Sequence, residues 1–287
     1  MLSERSKNID PDRTVGSYNP RNNLNDLTGR QWIRLTRSWF VCDGKKSDIP
    51  KEIEEHPATF PPDVAQRFIQ LFTKKGGHVL DPFVGIGSTL AACKRSGRNG
   101  IGVELVEKYA DYAKKRVEEP TLDTGHNQQV IVGDALQLDK LSIPTVDLCI
   151  TSPPYWNILK MSRGGVKSVH KQRMEEGLDI VYSSKPEDFG NIDDYQIYLE
   201  KIHTVFGKIH AKLKPNGYLV IIVQNVRVPR GEMIPVAWDI GEKLSDIYML
   251  KQEQIWIQSQ KFLGIWGYPT EYVSNVHHHY CLIFQKK

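Results

Sequence analysis

The chain has 287 residues, of which 40% are hydrophobic and 25% charged, and a net charge of +4; this suits one large α/β domain, alone or with a small appendage. No apolar run approaches the roughly 18–20 residues of a membrane-spanning helix, and residues 1–5 lack the apolar core of a signal peptide, so a cytoplasmic location is expected. The four cysteines, Cys42, Cys93, Cys149 and Cys281, form no CxxC pair, which argues against a zinc site and a disulfide framework; no metal is expected.

Residues 1–31 are polar, rich in Asn, Asp and Arg, and are expected to form an N-terminal arm of turns, with a partly disordered tail as the alternative. Residues 32–41 are denser in aromatics and are expected to pack on the main domain, 32–287. Pro61 and Pro62 then precede apolar residues at helical spacing, Val64, Phe68, Ile69 and Phe72. Short apolar strands are expected at 78–80, 99–104, 129–132 and 146–150, separated by helices at 89–95 and 108–118. The strand at 146–150 is apolar apart from Asp147, as in a buried parallel sheet.

A stretch at 157–194 has no core periodicity and reads as an inserted loop. A helix at 195–213 stops near Pro215, Asn216 and Gly217, a strand follows at 218–223, a helix at 234–244, and strands at 250–257 and 280–284. The alternation predicts an α/β fold, a Rossmann-like doubly wound and mostly parallel sheet. The last two strands have no helical signal between them and are expected to pair antiparallel at one edge.

Two strand ends carry chemistry. The run Asp81, Pro82, Phe83, Val84, Gly85, Ile86, Gly87, Ser88, Thr89 is a strand end, a glycine turn and a helix start. Such a turn lets backbone approach a ligand and offers free N–H groups. The third glycine of the dinucleotide fingerprint is missing, because Leu90 stands there. Glu104 ends the next strand, where a carboxylate can accept from ribose hydroxyls, and Asp134 follows the third, where it can accept from an adenine amino group. With their neighbours Leu105 and Ala135 they read as a nucleoside site; ordinary polar strand ends are the alternative.

The fourth strand runs into Thr151, Ser152, Pro153, Pro154 and Tyr155. Two prolines fix φ and remove two donors, so the turn is rigid and its carbonyls are left as acceptors. A heterocyclic amino group is a poor nucleophile because its lone pair is delocalised. Acceptors at Ser152 Oγ and the Pro153 carbonyl would favour a pyramidal nitrogen, and Tyr155 offers a face on which an extruded base can stack.

These motifs resemble those of the amino-methylating DNA methyltransferases, the N4-cytosine and N6-adenine enzymes. The 81–89 run, from Asp81, Pro82, Phe83, Gly85 and Gly87 to Ser88 and Thr89, looks like their cofactor motif, and Thr151 to Tyr155 like their catalytic one. His56, Pro57, Ala58, Thr59, Phe60 and Pro61 look like the segment that covers the methionine end of the cofactor, and residues 277–285 like the closing strand. The resemblance covers about residue 30 to the end. It implies the class I S-adenosylmethionine-dependent fold, S-adenosylmethionine as cofactor, duplex DNA as partner and a cognate restriction endonuclease as functional partner, the chain acting as a monomer or dimer. It also implies Ser152, Pro153, Pro154 and Tyr155 as catalytic residues. Serine first in the motif leans toward cytosine N4; adenine N6 and an RNA base stay as alternatives. Methylation at cytosine C5 needs a cysteine nucleophile, and Cys149, inside the fourth strand, reads as core.

DNA contacts are expected from Lys160, Arg163, Lys167, Lys171 and Arg173, in a basic, glycine-containing loop directly after the catalytic turn, and from Arg227 and Arg230. A solvated surface loop is the alternative. Residues 226–276 are the expected target-recognition segment, with Phe262, Trp266, Tyr268 and Tyr272 supporting the flipped base, wedging the duplex, or packing as core.

Overall fold

The computed structural model describes residues 18–44, 59–118, 125–156, 185, 187–228, 232–261, 263–265 and 267–287. In chain order these form α1 (Gly29–Leu35), β1 (Trp39–Val41), α2 (Pro62–Phe72), β2 (His78–Asp81), α3 (Ser88–Ser96), β3 (Asn99–Glu104), α4 (Glu107–Glu118) and β4 (Gln128–Val132). A 3-10 turn (Ala135–Lys140) leads to β5 (Val146–Thr151), and a second (Phe189–Asn191) precedes α5 (Tyr195–Lys212). Then come β6 (Leu213–Val223), β7 (Val226–Arg227), β8 (Met233–Ile234), α6 (Val236–Lys243), β9 (Tyr248–Ile257) and β10 (His278–Lys286).

Local chemistry sets the ends of these helices. Pro62 occupies the first turn of α2, where its missing N–H costs nothing, and Asp63 faces the positive end of the helix dipole. Gly87 caps the start of α3 at φ 83 and Gly97 its end at φ 69, both left-handed. A Cβ at Gly87 would also stand 3.1 Å from Ala113 Cβ of α4. The Asp194 side chain accepts from Ile197 N and starts α5.

Eight strands form one sheet in the order β1-β9-β10-β6-β5-β2-β3-β4. From β4 to β6 the neighbours are parallel. The α/β, doubly wound reading of the sequence is what the fold has. The last two strands do pair antiparallel, but not at the edge. β10 lies inside, antiparallel also to β6, and the edge is β1, parallel to β9.

Neither β1 nor α1 was expected. α1 carries a capping box between Thr28 and Gln31 and crosses the boundary expected at residue 31. Before it, Asn25 Nδ2 donates to the Leu71 carbonyl at 2.7 Å, and Leu27 packs in the α2 cluster. The described part of the arm is therefore docked on the domain. The helix expected from residue 234 begins at Val236, because Met233 and Ile234 pair with β7.

Helices cover both faces. Phe68, Ile69 and Phe72 of α2 pack over Val79, Leu148, Ile150, Val220 and Ile222. Tyr198, Ile202, Phe206 and Ile209 of α5 cover the other face with Ile240 and Leu244. Chain order reverses between β2 and β5: β3 and β4 extend the sheet one way, β6 the other. In an open α/β sheet, the crevice at such a switch point is where ligands bind, beyond the carboxyl ends of the strands.

Candidate active site

Strand direction gathers the polar residues at one end of the sheet. The carboxyl ends of β2, β3, β4, β5 and β6 lie there by parallel pairing. So does the end of β1, because Val41 sits opposite Ile257, and so does the start of β10, because Tyr280 sits opposite Val223. The loop from β9 to β10 therefore projects from the same end. A cavity of about 650 Å3 opens between these elements, within the roughly 300–1,000 Å3 range of small-molecule sites.

One side is built by β2, β3 and β4. Pro82, Phe83, Gly85, Ser88, Glu104, Leu105, Asp134 and Ala135 all line the cavity. Glu104 accepts from Gly85 N and Val106 N, both at 2.9 Å, so its carboxylate is aimed by the glycine turn itself. Burial pushes its pKa up to about 7, against the pull of those two N–H donors. Asp134 caps the first 3-10 turn by accepting from Leu136 N at 2.8 Å. Free N–H groups at the start of α3, two carboxylates and an apolar floor suit a nucleoside with an attached polar group.

Asp81, Thr89 and Thr151 have a different place. Asp81 is 1% exposed, and none of the three, nor Gly87, lines the cavity. Asp81 Oδ2 accepts from Thr89 Oγ1 at 2.5 Å and Oδ1 from Thr151 Oγ1 at 2.6 Å. Oδ1 also accepts from Phe83 N at 3.1 Å. This clamp ties the start of α3 to the end of β5 beneath the site. Burial raises the Asp81 pKa to about 6 in spite of the three donors.

Ser152, Pro153, Pro154 and Tyr155 line the cavity on the β5 side. The Ser152 side chain is within hydrogen-bonding reach of the Tyr155 hydroxyl, whose pKa burial pushes up to about 12, leaving it a neutral phenol. The turn has a support that its sequence does not reveal: Tyr198 Oη of α5 donates to the Pro154 carbonyl at 3.1 Å. One of the two proline carbonyls is thus occupied. Phe83 and Phe189, both in the cavity wall, form a T-shaped aromatic series with Tyr198. Cys149 is fully buried with its thiol pKa raised by burial, as a core residue.

The far wall is made by residues that the motifs missed. Thr59 and Phe60 were expected there; with them come Asp43, Gly44, Trp256, Gln258, Gln260, Lys261 and His279. Asp43 accepts from Ser259 Oγ at 2.6 Å and Gln260 N at 3.0 Å, pinning the β9–β10 loop to the end of β1. Glu187, Asp188 and Phe189 close another side. Lys185 Nζ donates to the Leu105 carbonyl at 2.7 Å just before them. The signal for the far wall was the antiparallel return of β10; Glu187 to Phe189 gave none.

Arg227 stands outside the cavity lining, and its guanidinium donates to the Ser274 carbonyl at 3.3 Å. His56, Pro57, Lys160, Arg163, Lys167, Lys171, Arg173, Arg230, Phe262 and Trp266 lie outside the described residues. Tyr268 and Tyr272 are 82% and 90% exposed, and Leu263 and Ile265 67% and 87%, so the core alternative fails for those two tyrosines. The loop that carries them is braced by paired bonds between Gly264 and the Asn275 side chain, both 2.9 Å.

The model of the N6/N4 methyltransferase family, described as DNA methylase, matches residues 10–115 and 146–287. Among characterised relatives, Type II methyltransferase M2.DpnII of Streptococcus pneumoniae is 36% identical over 33% of this chain and 39% of its own. Type II methyltransferase M.BglI of Bacillus subtilis is 36% identical over 33% of this chain and 26% of its own. The match thus spans well under half of either relative. Among solved structures, TrmN from Thermus thermophilus aligns over 79% of this chain and 49% of its own, at 16% identity and a TM-score of 0.49.

Proposed function

Because the chain belongs to the N6/N4 DNA methylase family, we propose that it transfers a methyl group from S-adenosylmethionine to the exocyclic N4 of cytosine in duplex DNA. One observation carries the reading. A single cavity is lined on one side by Glu104 and Asp134 and on the other by Ser152 to Tyr155. A nucleoside-type pair of carboxylates thus faces a turn suited to an amino group.

S-adenosylmethionine, when bound, supplies an electrophilic methyl group on a sulfonium. The residues do the rest. Glu104 accepts from ribose hydroxyls and Asp134 from the adenine amino group, while Thr59 and Phe60 cover the other end. Ser152 Oγ and the Pro153 carbonyl accept the two amino hydrogens of the base, which concentrates the lone pair on nitrogen. Ser152 Oγ has two lone pairs, so it can accept from the amino group while keeping its contact with the Tyr155 hydroxyl. The methylated nitrogen is cationic and strongly acidic, so its surplus proton passes through the acceptor at Ser152 Oγ or the Pro153 carbonyl to water. Tyr155 provides the stacking face. Ser152 at the head of the motif supports cytosine over adenine.

Duplex DNA would meet the same end of the sheet. The basic segment at 160–173 and the exposed Leu263, Ile265, Tyr268 and Tyr272 are the surfaces we assign to it, and a cognate restriction nuclease is the functional partner this reading implies. The test is direct. Duplex DNA and, in parallel, RNA are each incubated with the protein and methyl-labelled cofactor, digested to nucleosides and analysed by mass spectrometry. Labelled N4-methylcytosine is expected. Labelled N6-methyladenine would correct the base, and label in RNA alone would overturn the reading.

A further inference from the structure

His279 is held in the cavity wall by a chain of contacts that begins in the edge strand. In the β9–β10 register it sits opposite Trp256. Trp256 is 2% exposed and is fixed by its indole N–H, which donates to the Cys42 carbonyl at 2.6 Å. The His279 ring lies face-on to that indole, with centroids 4.5 Å apart and planes 23° from parallel. The plane and position of the imidazole are thereby set before any ligand arrives.

The two nitrogens of this ring differ. Nδ1 is sealed from solvent and has no hydrogen-bond partner among the described residues. Burial first, then the charges of Lys261 and His278, lower the pKa to about 3, so the ring is neutral at ordinary pH. A neutral imidazole carries one proton. An orphaned buried N–H is rarer than an under-satisfied acceptor, so the proton belongs on Nε2, the nitrogen left to face a ligand. Gln260 and Lys261, which also line the cavity, are exposed at its rim, whereas His279 is in the wall.

The reaction assigned above leaves one demand unmet. Ser152 and the Pro153 carbonyl are acceptors for the amino group, but the ring nitrogen next to that group, N3 in cytosine or N1 in adenine, needs a donor. Left unpaired in a closed site, it costs the bound base a hydrogen bond that water supplied. We propose that His279, stacked on Trp256, is the base-reading residue and donates Nε2–H to the ring nitrogen beside the target amino group. The inference rests on the proposed methylation of a base amino group.

The experiment uses the full chain and a duplex oligonucleotide bearing the site located by modified-base sequencing. The target is either the natural base or its ring-deaza analogue, 3-deazacytosine or 1-deazaadenine. His279→Phe keeps an aromatic ring on Trp256 and removes the donor; His279→Gln replaces the donor. Wild-type kcat/KM should fall roughly tenfold on the deaza base. His279→Phe should lose a similar factor on the natural base and nothing further on the analogue, and His279→Gln should recover part of it. Cofactor Kd by calorimetry should stay within about twofold in both variants. Equal deaza penalties in wild type and His279→Phe overturn the inference. So does a weakened cofactor Kd with unchanged DNA kinetics, which would assign His279 to the cofactor's amino-acid end. A wild-type chain that methylates no base in DNA overturns the proposed function, and this inference with it.

Discussion

Ser152 belongs to the catalytic turn and Tyr198 supports it through the Pro154 carbonyl, and their loss should differ in kind. Ser152→Ala removes an acceptor needed as the amino nitrogen reacts, so kcat should drop about a hundredfold while cofactor Kd by calorimetry holds. Tyr198→Phe instead removes the phenol donor of the half-buried Pro154 carbonyl. It should cost about 1–2 kcal/mol in urea unfolding and slow turnover only a few-fold. A full-speed Ser152→Ala enzyme would remove the acceptor role. Glu104 adds a pH dependence. Its pKa of about 7 lies above the ordinary 4.5, so the cofactor-free fold holds it as the acid only below about pH 7. The stability this group contributes is complete below pH 4.5 and is lost as pH rises through 7. Ribose hydroxyls prefer the carboxylate, so cofactor affinity should climb between about pH 6 and 8, by at most about tenfold per unit. Glu104→Gln should flatten that rise. An unchanged profile in Glu104→Gln would move the titration to Asp81, whose pKa lies near 6.

The clamp on Asp81 joins α3, β2 and β5, and its failure should spread through those elements. Thr151→Val keeps the shape of the side chain but removes one donor to a buried carboxylate. We expect a loss of about 1–2 kcal/mol, seen as a melting point lower by about 4 °C. The Asp81 carboxyl should also titrate higher, and cofactor affinity should fall less than with Glu104→Gln, because Thr151 does not line the cavity. A melting point unmoved by Thr151→Val would show that the clamp carries no stability. The elements it joins were legible in the sequence for a physical reason. Buried parallel strands are short apolar runs, and glycines or acids at their ends mark where the chain turns toward a ligand. β1 was not legible, since three residues with an exposed, half-buried, exposed pattern carry no periodicity. That strand exists because β9, more than 200 residues later, supplies its partners. α1 escaped for a related reason: it buries none of its residues, so its sequence shows no apolar stripe and its start depends on one capping box. The far wall of the site stayed hidden for the same cause, because Asp43 and His279 reach it only through those long-range pairings.

For the whole molecule, a net charge of +4 is too small to hold duplex DNA as a uniform field, so binding must depend on where the charge lies. The segment from Lys160 to Arg173 contributes five cations and no carboxylate. Each cation that neutralises a phosphate releases condensed counterions and adds about 0.9 to the slope of log Kd against log salt. If the segment holds the backbone, Lys167→Ser with Lys171→Ser should lower that slope by nearly 2 and weaken every duplex sequence alike. Arg227 should count for less, because its guanidinium already donates to the Ser274 carbonyl; Arg227→Ala should change the slope by well under one. The exposed tyrosines of the β9–β10 loop carry no charge. Tyr268→Ser with Tyr272→Ser should therefore weaken binding at every salt concentration without altering the slope. Fluorescence anisotropy of a labelled duplex across a salt series reads all three effects. A slope untouched by the double lysine change would return the basic segment to a solvated surface loop, and a slope reduced by the tyrosine pair would mean that the braced loop positions the phosphate contacts instead of meeting the bases.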